Sequence, residues 1–218
     1  MSWKYILFDL DGTVTDSCSG IINCVKYALE AFGKPIPSEE ELLQFIGPPL
    51  VDSFQNVIGM SSEEAVEATA KYRERYGTVG LFENALYEGM DKVLAGLKEK
   101  GYLVALATSK SEEYSVRILE HFGIKDYFDE IVGSTLDGKR NQKADVIKEV
   151  FRRMQITEEM KEQVIMVGDR KHDILGAKSC GIASLGVYYG FAPEHELEEC
   201  GADYIIHKVD ELFSFFHI

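Results

Sequence analysis

Short runs of large apolar residues alternate along this chain with stretches whose apolar positions recur three and four residues apart. The runs fall at 5–10, 103–108, 130–133, 164–167, 184–188 and 204–206. The first of them, Tyr5, Ile6, Leu7 and Phe8, has no polar alternation, the pattern of a strand covered on both faces. Helical spacing fills the gaps at 90–100, 112–122, 144–154 and 174–180, and Gly101, Gly123 and Gly181 stand where three of these stretches should stop. Strands alternating with amphipathic helices predict an α/β fold, a doubly wound parallel sheet with helices on both faces.

Residues 16–83 break the alternation, for they hold no convincing strand. Ile21, Ile22, Val25, Ala28, Leu29 and Phe32 lie at helical spacing, and Ser38 with Glu41 has the form of a capping box. Ser61 or Ser62 can cap a further helix running through Ala65, Val66, Ala70 and Tyr72 to Tyr76. An insert of roughly seventy residues exceeds any ordinary connection. The predicted organisation is therefore a core built from 1–15 and 84–218 with an inserted all-α domain at 16–83. Because the insert leaves just after the first strand and returns before the second, it is expected to lie over that end of the sheet as a lid; a purely stabilising decoration is the alternative.

A chain of 218 residues, 45% of them hydrophobic, is long enough for one large or two small domains. Its formal net charge of -14 and pI of about 4.8 disfavour nucleic acid and anionic membranes as partners. Any anionic substrate would need local positive charge or a metal ion. Cys18, Cys24, Cys180 and Cys200 lack metal-ligand spacing and read as reduced thiols. With no leader-like start and no apolar run of bilayer length, a soluble, cytoplasmic protein is expected.

The chemistry gathers where strands end. Asp9-Leu10-Asp11-Gly12-Thr13 closes the first run, Thr108-Ser109-Lys110 the second, and Gly168-Asp169-Arg170-Lys171-His172-Asp173 the run at 164–167. Ligands of parallel sheets bind outside such carboxyl ends. Two unit charges 4 Å apart interact by about 4 kcal/mol at an effective dielectric of 20, so Asp9, Asp11, Asp169 and Asp173 require a cation to crowd together. Oxygen-only ligands favour a hard ion, Mg²⁺ with a substrate phosphate being the usual solution. Thr108, Ser109 and the ammonium of Lys143 would suit the phosphate oxygens.

With Asp9-Leu10-Asp11-Gly12-Thr13, Thr108, Lys143 and Gly168-Asp169 with Asp173 as four motifs in order, the chain resembles the haloacid dehalogenase-like superfamily of phosphohydrolases, and within it the phosphoglycolate phosphatase-like branch with a helical cap. Gly190-Phe191 and Gly201-Ala202-Asp203-Tyr204 resemble that branch's tail. The resemblance implies a Rossmann-like core with Asp9 as nucleophile, giving an aspartyl phosphate, and Asp11 as general acid and base. It implies Mg²⁺ held by the Asp9 carboxylate, the Asp11 backbone carbonyl and Asp169, with Asp173 acting directly or through water. Thr108, Ser109 and Lys143 would hold the phosphoryl group. Asp16 resembles the hinge into the cap. Gly47, Pro48 and Pro49 resemble a cap segment that faces the site in relatives, although a Pro-Pro helix start beside Ile46, Leu50 and Phe54 equally suits plain packing. The implied activity is hydrolysis of a small phosphorylated metabolite, 2-phosphoglycolate-like or a nucleoside monophosphate.

Two departures stand out. Arg170 replaces a small Ser or Thr, and either adds charge near the substrate or points to solvent; Asn141-Gln142 precedes Lys143 where a Pro is common, leaving Lys139 as a rival lysine. His172 reads as a surface residue, and the Glu39–Glu41 and Glu196–Glu199 runs as solvated helix faces. A sugar-phosphate mutase uses the same constellation, although Thr13 stands where such mutases often carry Val or Ile. A dehalogenase would leave Asp11 without a leaving oxygen to protonate. A non-enzymatic phospho-receiver or binding module shares the Asp, Mg²⁺, Thr and Lys, but its acceptor lies on a middle strand and it has no insert. A monomer is expected, with a dimer the alternative.

Overall fold

The computed structural model describes residues 3–135, 140 and 142–218. The chain divides into two compact units, residues 1–15 with 86–218, and residues 16–85.

The first unit is built on a six-stranded sheet. Its strands are β1 (Tyr5–Phe8), β4 (Leu103–Ser111), β5 (Glu130–Ser134), β6 (Val164–Gly168), β7 (Ala183–Val187) and β8 (Tyr204–Ile206). The order β5-β4-β1-β6-β7-β8 is parallel throughout. Tyr5 pairs with Leu103 on one side and with Val164 on the other, so β1 is central and the chain builds outwards in both directions from it. That makes the carboxyl end of β1 a topological switch point, where open α/β sheets bind ligands.

All four residues of β1 are buried, as their unbroken apolar pattern requires. Alternate positions serve opposite faces: Tyr5 and Leu7 join a cluster with Ala105, Ala107, Val132 and Met166. Onto that cluster fold Val146, Ile147, Val150 and Phe151 of α7 (Lys143–Met154) and Ala177 and Cys180 of α8 (Lys171–Cys180). The spacing of one, three and four residues gives each helix a single apolar stripe. Helices α5 (Met90–Glu99) and α6 (Glu112–His121) pack against β4, and the short α9 (Glu196–Glu199) and α10 (Glu211–Phe216) follow β7 and β8. Gly181 takes the left-handed conformation that ends α8, at φ 72°.

The second unit carries four helices, α1 (Cys18–Ala31), α2 (Glu39–Leu43), α3 (Leu50–Asn56) and α4 (Ser62–Tyr76). Capping boxes start two of them, Ser38 with Glu41 and Ser61 with Glu64, so Ser61 rather than Ser62 is the cap of α4. Phe45 and Phe54 meet edge to face at 5.1 Å inside this unit. Two-residue strands at the passages between units, β2 (Thr15–Asp16) and β3 (Ala85–Leu86), were not foreseen from the sequence, because two residues carry no periodicity. All four cysteines are free thiols, and among the described residues no helix is long and apolar enough to cross a membrane.

Candidate active site

Asp9 follows directly on β1, Asp169 directly on β6, and Asp173 lies in the first turn of α8. Together they offer three carboxylate oxygens within 4.8 Å of one another. Asp169 and Asp173 are fully buried, and glycines make the room for them. A Cβ on Gly12, whose φ is +81°, would sit 2.0 Å from Asp169 Oδ2; one on Gly168 would sit 2.2 Å from Asp173 Cγ. Gly190 passes just as close, its missing Cβ 2.2 Å from the Gly12 carbonyl oxygen and 2.5 Å from Asp169 Cβ. The glycines of the acidic segments thus serve close approach as well as turning.

The Lys143 ammonium sits among these acids. It lies 2.8 Å from Asp9 Oδ1 and 2.7 Å from Asp173 Oδ1 as an ion pair with each, and donates to the Ala107 carbonyl at 2.9 Å. Burial alone would draw its pKa down, but Asp173 and Asp9 outweigh that and hold it above the ordinary lysine value. Lys139 and Asn141, raised by the sequence around Lys143, lie outside the described residues. Asp169 accepts from Phe191 N at 2.8 Å and from the Thr13 hydroxyl at 3.4 Å. Burial, then repulsion from Asp173 and Asp9, pushes its carboxyl well above the usual carboxylate range. Burial likewise lifts Asp173 to about 6, against the pull of Lys143 and with the push of Asp9.

Three carboxyl groups face one ammonium in a largely buried, all-oxygen setting. The donor set fits a hard divalent cation of the Mg²⁺ kind.

The Asp11 carboxylate stands apart from this trio. Its Oδ2 pairs with Lys110 Nζ at 2.9 Å, while its buried Oδ1 has no hydrogen-bond partner among the described residues. Lys110 was legible as the residue after Ser109, but nothing in the spacing predicted that it would reach Asp11. Thr108 is buried at the same edge, its hydroxyl accepting from Lys110 N at 3.2 Å, and Ser109 beside it is partly exposed. Tyr189 also escaped the sequence reading: its hydroxyl donates to the Thr13 carbonyl at 3.0 Å and its ring meets Tyr87 at 5.1 Å. Burial and the nearby Asp169 push the phenol well above its usual value, so it stays a donor.

Of the remaining candidates, Arg170 neither points to solvent nor projects freely. It is turned onto Glu196, its Nε 2.8 Å from Glu196 Oε1. That corrects the reading of Glu196–Glu199 as one solvated face, since the Glu196 side chain is only 12% exposed while Glu198 and Glu199 are open. His172 is exposed, as are Glu39, Glu40 and Glu41. In the helical unit, Asp16 Oδ1 accepts from Cys18 N at 3.0 Å, at the residue where that unit begins. Gly47 and Pro49 are exposed and Pro48 partly so, between buried Ile46 and the start of α3.

The haloacid dehalogenase-like hydrolase family matches residues 6–187. A 5'-nucleotidase of Pseudomonas aeruginosa is 41% identical over 197 residues, covering 90% of this chain and 88% of that protein. The tyrosine-protein kinase PtkA of Mycobacterium tuberculosis is 36% identical over 212 residues, 96% of this chain and 71% of that one. Among solved structures, a predicted phosphatase from Clostridium acetobutylicum superimposes with a TM-score of 0.92 at 42% identity, over 100% of this chain and 99% of that one. With the acidic trio at the switch point of a parallel sheet, the chain belongs to the haloacid dehalogenase-like hydrolase family, in the company of its phosphohydrolases.

Proposed function

We propose that this protein is a Mg²⁺-dependent phosphatase of small phosphomonoesters, working through a phosphate ester of Asp9. The observation that carries the reading is the convergence of Asp9, Asp169 and Asp173 on one point beside Lys143. Asp9, Asp169 and Asp173 would hold the ion, with the Asp11 backbone carbonyl as a further ligand. When bound, Mg²⁺ would offset the charge of the phosphate and hold it against Asp9.

The chain's own groups do the rest. Asp9 attacks phosphorus in line as the ester oxygen departs, and protonated Asp11 gives that oxygen its proton. As a carboxylate, Asp11 then takes a proton from the water that attacks the aspartyl phosphate, which returns Asp9 and releases phosphate. Lys143, Thr108 and the Ser109 amide bear on the phosphoryl oxygens, where fixed positive charge and donors contribute most of the rate. Lys110 holds Asp11 beside the leaving group.

A nucleoside 5'-monophosphate is the first substrate class to try, supported by the relative named a 5'-nucleotidase, with 2-phosphoglycolate second. The helical unit acts as a lid in this reading, with Asp16 at its hinge and Gly47, Pro48 and Pro49 towards the substrate. The protein works as a cytoplasmic monomer.

Phosphate release from a monoester panel, with Mg²⁺ and with EDTA, tests the proposal. Wild type should turn over only with Mg²⁺, and Asp9→Asn should be inactive yet folded by circular dichroism. Turnover retained by Asp9→Asn would sink it; phosphate passed to a sugar or tyrosine hydroxyl instead of water would replace it by a transferase.

A further inference from the structure

We propose that Glu196, on α9 and outside the acidic segments, is a positioning residue for the divalent-cation site, acting through Arg170 and the first turn of α8. The inference rests on the phosphatase reading above. Glu196 Oε1 accepts from Arg170 Nε at 2.8 Å and from the backbone amide of Lys171 at 3.0 Å, and Oε2 lies 3.5 Å from Arg170 Nη2. The backbone amide of Arg170 in turn donates to Asp173 Oδ2 at 3.1 Å, and Asp173 Oδ1 meets Lys143. One carboxylate therefore fixes the two residues that come after Asp169 and, through them, the placement of Asp173.

The anchor is itself firmly seated. Leu197, the next residue, is fully buried, and a Cβ on Gly186 of β7 would lie 2.9 Å from Leu197 Cδ1. Glu196 and Arg170 are only 12% and 15% exposed, an expensive place for an ion pair unless it orders something. What it orders is a short segment with a carboxylate at each end. Asp169 and Asp173 each bring an oxygen to one point, within 4.8 Å of each other and of Asp9, and the tether to α9 keeps both oxygens there.

Charge alone makes a different forecast. Removing the cation Arg170 from an acidic site would tighten divalent binding, whereas removing the tether weakens it. The test is titration of the full chain with Mn²⁺, followed by the free-ion paramagnetic resonance signal, with Mg²⁺ as competitor, at a temperature where circular dichroism shows each variant folded. Arg170→Ala and Glu196→Ala should each weaken Mn²⁺ by about tenfold, the lower range for partners that orient metal ligands. The double variant should be no weaker than the weaker single one, because both act through one tether. If Glu196→Ala does not fold, Arg170→Ala decides alone. Arg170→Ala binding Mn²⁺ as tightly as wild type, or more tightly, would overturn the inference while leaving the phosphatase reading intact. Wild type that binds no Mn²⁺ would overturn both.

Discussion

Replacing Lys143 by Met keeps the apolar stem of the side chain and removes one buried charge, which makes it a direct probe of the site's electrostatics. In wild type the ammonium stands 2.7 Å from the fully buried Asp173 and 2.8 Å from Asp9, whose side chain is 13% exposed. Taking away one partner of such a cluster leaves uncompensated charge, at a cost of about 3–5 kcal/mol. For a chain of 150–250 residues each kcal/mol moves the melting point by roughly 2–4 °C, so metal-free Lys143→Met should melt roughly 6–20 °C below wild type. The assay is thermal denaturation at pH 8 in EDTA, followed by circular dichroism, and repeated in saturating Mg²⁺. The ion would supply the missing positive charge, so the gap should narrow. A variant that melts within about 2 °C of wild type in EDTA would refute the argument, because the carboxylates would then not need Lys143 for compensation.

Two further outcomes are expected from the same geometry. In EDTA the folded Asp173 keeps its proton up to about 6 while the unfolded chain loses it near 3.8, so the native state binds more protons between those values and stability falls as pH rises through them. Asp169, also raised, extends the fall upward; urea denaturation at several pH values, wild type against Asp173→Asn, should show the smaller slope in the variant, and equal slopes would count against the assignment. Gly190→Ala should weaken Mn²⁺ binding and phosphate release together, since its Cβ would collide with the Gly12 carbonyl and with Asp169; binding unchanged in that variant would mean the loop yields without moving Asp169.

The parallel sheet and its helices were legible because long apolar runs and three-four spacing are set by burial, which leaves its mark residue by residue. The runs at 130–133 and 204–206 became β5 and β8 almost unchanged, and Ser38 and Ser61 cap helices through local chemistry alone. Strand ends shifted for specific reasons. β1 stops at Phe8 and not at residue 10, since Asp9 and its neighbours towards Gly12 turn to face the site, and β4 runs on to Ser111 through a pairing irregularity after Ala107. Asp9, Asp169, Asp173 and Lys143 could be picked out because each stands at a strand end or helix start. Contacts made by the tail were not legible: Tyr189 to Thr13, Phe191 to Asp169 and Glu196 to Arg170 join residues far apart in the chain, and a Glu in a run of Glu carries no sign that it will be covered.

The position of β1 carries a consequence for how the protein is made. Tyr5 leaves the ribosome before either of its two partners, Leu103 and Val164. Until both have been synthesised, this fully buried apolar strand has an open edge on at least one side, the condition under which nascent chains associate wrongly or engage chaperones. The intervening residues 16–85 form a compact unit of their own, so the chain made before Leu103 carries that helical segment beside an unpaired strand. Fragments released before Val164 would therefore be aggregation-prone as well as inactive.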